Sequence, residues 1–157
     1  MSRDTSLTFR QAVYGQTTDE AFLVLLELDH PDLSEPIRVT SDGVDTESGG
    51  NTYISYRFDI RLPSDPSEGV TRGKLTIDNV DRQIVEAVRS INSPLSVKIM
   101  VVLASSPDTV EAEFSGFELR NVVCDALQVT GDLSVEYFTS EPFPGDLFLP
   151  ATFPALF

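Results

Sequence analysis

A strict two-residue rhythm near the middle of the chain constrains its fold more than any other feature. Tyr56, Phe58, Ile60 and Leu62 alternate with Arg57, Asp59 and Arg61, which puts the apolar set on one face of an extended strand and the charged set in water. A helix, with 3.6 residues per turn, would scatter these side chains around its axis. Similar segments recur. Over 95–104, Leu95, Val97, Ile99, Val101 and Leu103 alternate with mixed partners, as expected of a central strand. Residues 21–29 (AFLVLLELD) stop at His30-Pro31 and are expected to pair with 37–40 (IRVT) across a polar turn. Asp42-Gly43 and Ser48-Gly49-Gly50-Asn51 are turn signals that bracket another short strand.

After a loop at 63–69 (PSDPSEG), whose prolines and glycine leave too few amides for a ladder, 70–77 (VTRGKLTI) resumes as a strand. Segments 113–122 and 124–137 read as the last two or three strands, with Gly131-Asp132 marking a turn or a bulge. Two segments instead have helical spacing. Ser6 precedes Leu7, Phe9, Ala12 and Val13, with Gly15 placed to end a short helix in the left-handed conformation. Asp78 or Asn79 caps a second helix whose stripe is Val80, Ile84, Val85, Val88 and Ile91, ending before Asn92-Ser93-Pro94. Eight to ten short strands with one central and one N-terminal helix predict a mainly β protein, a β-sandwich or barrel with a helix over one opening.

Composition narrows the chemistry. The 157 residues suffice for one domain with a core of its own. A single cysteine, Cys124, excludes an intramolecular disulfide and any multi-cysteine zinc or iron–sulfur site. With 25 acidic against 11 basic side chains the formal charge is -14, which disfavours binding to nucleic acid or anionic lipid. The first residues lack a signal-peptide core, and apolar runs such as 22–26 fall far short of a membrane span. A soluble product made in the cytoplasm, with no membrane anchor, is therefore expected.

Catalytic and metal signals are weak. His30, the only histidine, lies in Asp29-His30-Pro31-Asp32. A solvated turn is preferred to a metal or acid–base site, because a metal usually takes at least three protein ligands on fixed elements. A serine–histidine–acid triad would have to use His30, yet no Gly-x-Ser-x-Gly turn is present. Asp78, Asn79 and Asp81 resemble part of a calcium loop without its glycine or distal glutamate, so helix capping explains them better. Paired carboxylates for glycoside cleavage cannot be singled out in so acidic a chain, and there is no tryptophan to stack on a sugar. Cys124 follows Val122 and Val123 and reads as a buried thiol. There is no glycine-rich phosphate loop, no cofactor is expected, and an enzyme is the weaker class.

The composition changes after Tyr137, which divides the chain into a β domain at 1–137 and an arm at 138–157 (FTSEPFPGDLFLPATFPALF). The arm holds five of the ten phenylalanines (Phe138, Phe143, Phe148, Phe153 and Phe157) and four of the ten prolines (Pro142, Pro144, Pro150 and Pro154). Left free, it would expose an apolar patch that monomeric proteins avoid. Either it straps its own domain, or it is a proline-stiffened arm that lays aromatic anchors on a neighbouring subunit. Phe138, Phe143, Phe148, Phe153, Phe157, Pro142 and Pro144 are the candidate subunit-contact residues.

Several segments together carry a resemblance. They are Phe9-Arg10-Gln11-Ala12-Val13-Tyr14, residues 25–36 (LLELDHPDLSEP), Ile37-Arg38-Val39, Asn51-Thr52-Tyr53, Ile77-Asp78-Asn79-Val80-Asp81-Arg82 and Ile84-Val85-Glu86-Ala87-Val88-Arg89. Residues 101–110 (VVLASSPDTV), Pro142-Phe143-Pro144-Gly145-Asp146 and Phe153-Pro154-Ala155-Leu156-Phe157 complete the set. In this order and spacing the chain resembles a family of small minor tail proteins of bacteriophages with long, non-contractile tails, over almost its whole length.

The resemblance implies a structural virion protein at the distal end of the tail. It would form a homo-oligomeric ring, hexameric in preference to trimeric, between the tail tube and tape-measure protein on one side and hub or fibre proteins on the other. DNA would pass through without being bound. Residues 108–157 hold nine acids and only Arg120 as a base, so an acidic lumen wall and plain solubility are both open readings. A tail-tip hub-domain or tail-assembly protein of trimeric stoichiometry is the nearest alternative, although one cysteine departs from an iron–sulfur hub. A small carbohydrate-binding or hydrolase module is more distant and would be a monomer with a working cleft.

Overall fold

The computed structural model describes residues 5–62, 73–78, 85, 89, 91, 93–125 and 128–135. Nine strands are described: β1 (Phe22–Asp29), β2 (Ile37–Thr40), β3 (Thr46–Ser48), β4 (Asn51–Ser55), β5 (Phe58–Arg61), β6 (Gly73–Asp78), β7 (Leu95–Leu103), β8 (Ser106–Cys124) and β9 (Gln128–Val135). They form one sheet in the order β3-β4-β2-β1-β7-β8-β9-β6-β5. Every described pairing is antiparallel except β2 with β4.

The mainly β expectation and the central place of the 95–104 strand are met, since β7 is the middle strand of the nine. The described strands make one open sheet with β3 and β5 at its edges, and neither the sandwich nor the closed barrel expected is seen among them. The sheet curls far enough for the β3–β4 turn to meet the start of β8. Ser48 Oγ donates to Pro107 O at 2.6 Å and Gly49 N donates to Asp108 Oδ1 at 2.9 Å. These bonds run through side chains rather than a ladder. Gly49 and Gly50 both have positive φ, 56° and 78°, as a two-residue hairpin turn between right-twisted strands requires.

The leucine run of β1 follows from cover on both faces. Leu26 opposite Ile99 and Leu28 opposite Val97 join Val39, Leu75, Ile77, Leu95, Leu119 and Leu133 in the larger core. Leu23 opposite Val102 and Leu25 opposite Met100 form a second cluster on the other face, completed by Tyr53. Each fully buried leucine contributes about 1.5–3 kcal/mol over leaving it in water.

Helix α1 (Leu7–Tyr14) starts where expected, with Ser6 Oγ accepting from Phe9 N at 3.1 Å. Glu111, buried on β8, accepts from Ser6 N at 2.7 Å, and Phe9 meets Phe22 edge-on at 5.4 Å. Gly15 is extended (φ -69°) rather than left-handed; a Cβ there would lie 2.9 Å from Gln11 O, so close approach explains the glycine.

Of the turn or bulge expected at Gly131-Asp132, there is no turn, since both residues are strand interior, but a bulge is present on the facing strand. Gly131 lies in β9 opposite a bulge in β8, where the register skips between Arg120 and Val123 and Asn121 has φ 52°. Of the expected helix at 80–91, only Val85, Arg89 and Ile91 are described; Val85 and Arg89 are helical and Val85 is buried, and the rest lies outside the described residues. Residues 70–72 and the arm at 138–157, with every candidate subunit-contact residue, also lie outside them. Among the described residues no helix is long and apolar enough to cross a membrane.

Candidate functional site

The constellation nearest to catalytic chemistry surrounds His30, just past the end of β1. It is 7% exposed, so it is not the solvated turn residue expected. Its Nε2 is 2.6 Å from Ser93 Oγ, and its Nδ1 accepts from the Asp32 backbone amide at 3.0 Å, with Asp32 Oδ2 3.6 Å away. Serine, imidazole and carboxylate are thus together, but with the wrong tautomer for a triad. A backbone amide can only donate, so Nδ1 is the acceptor and a neutral ring carries its proton on Nε2. That nitrogen donates to Ser93 and cannot take the serine proton, the reverse of what nucleophile activation requires. The geometry instead ties the β1–β2 turn to the segment before β7.

A second polar group borders the smaller core. Arg38 Nη2 on β2 lies 3.5 Å from Glu27 Oε1 on β1, and the Tyr53 hydroxyl of β4 sits beside both. Burial raises the Tyr53 phenol above its usual 10.0 and the nearby Glu27 charge pushes the same way, while Arg38 opposes them. Arg38 Nε and Glu111 Oε1 are buried without a hydrogen-bond partner among the described residues. They belong to two separate places, and neither faces a described cleft.

The larger of two clefts lined by described residues, about 460 Å³, lies at the β8 bulge. Its volume falls within the range of about 300–1,000 Å³ typical of ligand pockets. Ile91, Leu95, Leu119, Val122 and Cys124 supply apolar lining, and Arg89 and Arg120 supply charge. Arg120 is held by Glu118 through Nε at 2.9 Å and Nη2 at 2.6 Å, and Asn121 donates to Asp132 at 3.0 Å. Cys124 is half-buried here rather than buried as expected, and it lines the cleft. The smaller cleft, about 370 Å³, is lined by Arg57, Phe58, Asp59, Thr76, Asp78 and Gln128.

Asp78 accepts from Gln128 Nε2 at 3.4 Å, whereas Asn79 and Asp81 lie outside the described residues. No three His, Cys, Asp or Glu side chains among the described residues are grouped to hold a metal ion. Sequence reasoning missed both arginines of the larger cleft. A signal for one of them was present, since Arg120 is the only basic residue after position 107.

No curated protein sequence matches the chain. A family profile described as a domain of unknown function matches residues 8–148. The span takes in the bulged β8 and its arginine-rimmed cleft and covers most of the chain, which belongs to the family DUF1833.

Proposed function

We propose that this chain is a structural subunit of the distal tail of a long-tailed bacteriophage, assembling as a ring that joins the tail tube to hub or fibre proteins. The observation that carries the reading is apolar surface on well-separated elements. Helix α1 exposes Leu7 (71%) and Tyr14 (86%) one above the other on the same face, and the β8 bulge exposes Val123 (67%) beside the larger cleft. A cyclic ring is built from heterologous contacts, in which one patch meets a different patch on the next copy. The ordered resemblance to minor tail proteins supplies the location, and the acidic surface suits a wall past which DNA slides.

The test has two parts. Light scattering of the purified full chain is expected to give a closed oligomer, six times the 17.3 kDa chain mass in the favoured case. Immunogold labelling of virions of the phage that encodes it is expected to mark the tail tip. A protein that stays monomeric at high micromolar concentration and is absent from purified virions would sink the proposal.

A further inference from the structure

We infer that the cleft at the β8 bulge receives the C-terminal arm of a neighbouring copy, with Phe143 as the anchor; this rests on the ring assembly proposed above. The cleft combines an apolar lining with two cationic side chains, a pairing that suits an aromatic residue flanked by carboxylates. Arg89 has no ion-pair partner among the described residues. Glu118 engages Arg120 through Nε and Nη2, leaving Nη1 for an incoming carboxylate.

The arm matches this requirement in sequence. From 138 to 157 it has two acids, Glu141 and Asp146, and no lysine or arginine. Glu141 and Asp146 bracket Pro142-Phe143-Pro144. Proline restricts its own φ and disfavours the helical region for the residue before it, so this spacing suits carboxylates on either side of a seated ring. The stiffened chain also loses little conformational entropy on docking.

The arm has the reach to do this. β9 ends at Val135, opposite Phe117, two residues along β8 from the Leu119 side of the cleft. Phe143 lies eight residues beyond Val135, so at about 3.1 Å each the anchor reaches about 25 Å from the end of β9, enough for its own cleft or for one on an abutting neighbour. Both cis and trans paths are therefore within range. Heterologous ring closure selects the trans path, because it requires a protruding element on one face and its receptor on another.

The only native cysteine lines the cleft and provides the probe. Two full-length chains are co-expressed: a tagged wild-type copy and a copy carrying Ser140→Cys with Cys124→Ser. A short bis-maleimide is expected to give a covalent heterodimer of one tagged and one untagged chain, distinguished by mass from linked pairs of like chains, which can form only if the arm of one copy reaches Cys124 of the other. Phe143→Ala in the arm, or Arg89→Glu with Arg120→Glu in the cleft, is expected to lower the dimer yield at least tenfold. Glu141→Lys with Asp146→Lys is expected to restore the yield against the charge-reversed cleft, which a merely misfolded variant could not show.

A Ser140→Cys chain that retains Cys124 and gives only internally linked monomer overturns the trans assignment. Absence of any link to Cys124 overturns the cleft as receptor. Light scattering on the unlinked wild-type protein reads the ring separately, so a ring without cross-links refutes this inference alone, and a monomer refutes the assembly itself.

Discussion

At Gly131 the absence of a side chain is what the fold requires. A Cβ there would lie 2.6 Å from Leu119 Cδ1 and 2.9 Å from its Cγ, and Leu119 is itself buried in the larger core. Gly131→Ala should therefore cost about 1–3 kcal/mol in urea unfolding, as overpacking of a dense interior does; a loss below a few tenths would mean that Leu119 can move aside. Tyr53 offers a pH test. Because burial and then Glu27 raise its folded pKa above 10.0, the folded state holds the phenol proton more tightly than the unfolded chain does. The corresponding stability is intact below about pH 10 and is lost as pH rises through the folded value. Thermal scans between pH 9 and 12 should show a steeper fall for wild type than for Tyr53→Phe, and parallel falls would place the ionisation elsewhere. Neither environment was legible in the sequence, since Leu119 and Glu27 become neighbours of Gly131 and Tyr53 only through strand pairing. His30 was misread for the same reason: its partner Ser93 is 63 positions away and nothing local announces it.

Elements were more legible than residues wherever one physical rule governed a whole segment. The period of two located β5 and β7, and the glycine pair located the β3–β4 turn. The rule caught only part of β8, which runs for 19 residues from Ser106 although a strand was expected only over 113–122. Register shifts on both of its ladders change which face a side chain takes, so the alternation in sequence breaks while the strand continues. The parallel β2–β4 pair was hidden too, because parallel neighbours leave no turn signal between them. The His30–Ser93 bond belongs to this scale, since it joins the β1–β2 turn to the chain before β7. Removing Ser93 leaves Nε2 of the buried His30 without its partner, so Ser93→Ala should cost about 1–3 kcal/mol; His30→Ala leaves only the exposed Ser93 hydroxyl behind but empties a buried position, and should cost a similar amount. The double variant should cost clearly less than the two together, and full additivity in denaturant melts would deny the coupling.

For the whole molecule, charge and assembly oppose each other. Each copy carries a formal -14, so bringing copies into a ring sets like charges against one another. The proposed arm contacts work the other way, with two arginines facing two carboxylates, but partly exposed pairs contribute only about 0–1 kcal/mol each. Range decides which effect wins. At about 0.01 M salt the screening length is about 30 Å, long enough for the full charge of neighbouring copies to interact, whereas at about 0.15 M it falls to about 8 Å and mainly local pairs remain. The ring should therefore dissociate more readily at low ionic strength, seen as a lower weight-average mass by light scattering at 10 mM than at 150 mM salt. The same low-salt sample should not retain duplex DNA on a gel, because the field that loosens the ring also repels phosphates. A ring that tightens as salt is removed would mean that short-range ion pairs dominate the subunit contact, and that the surplus negative charge lies away from the interfaces.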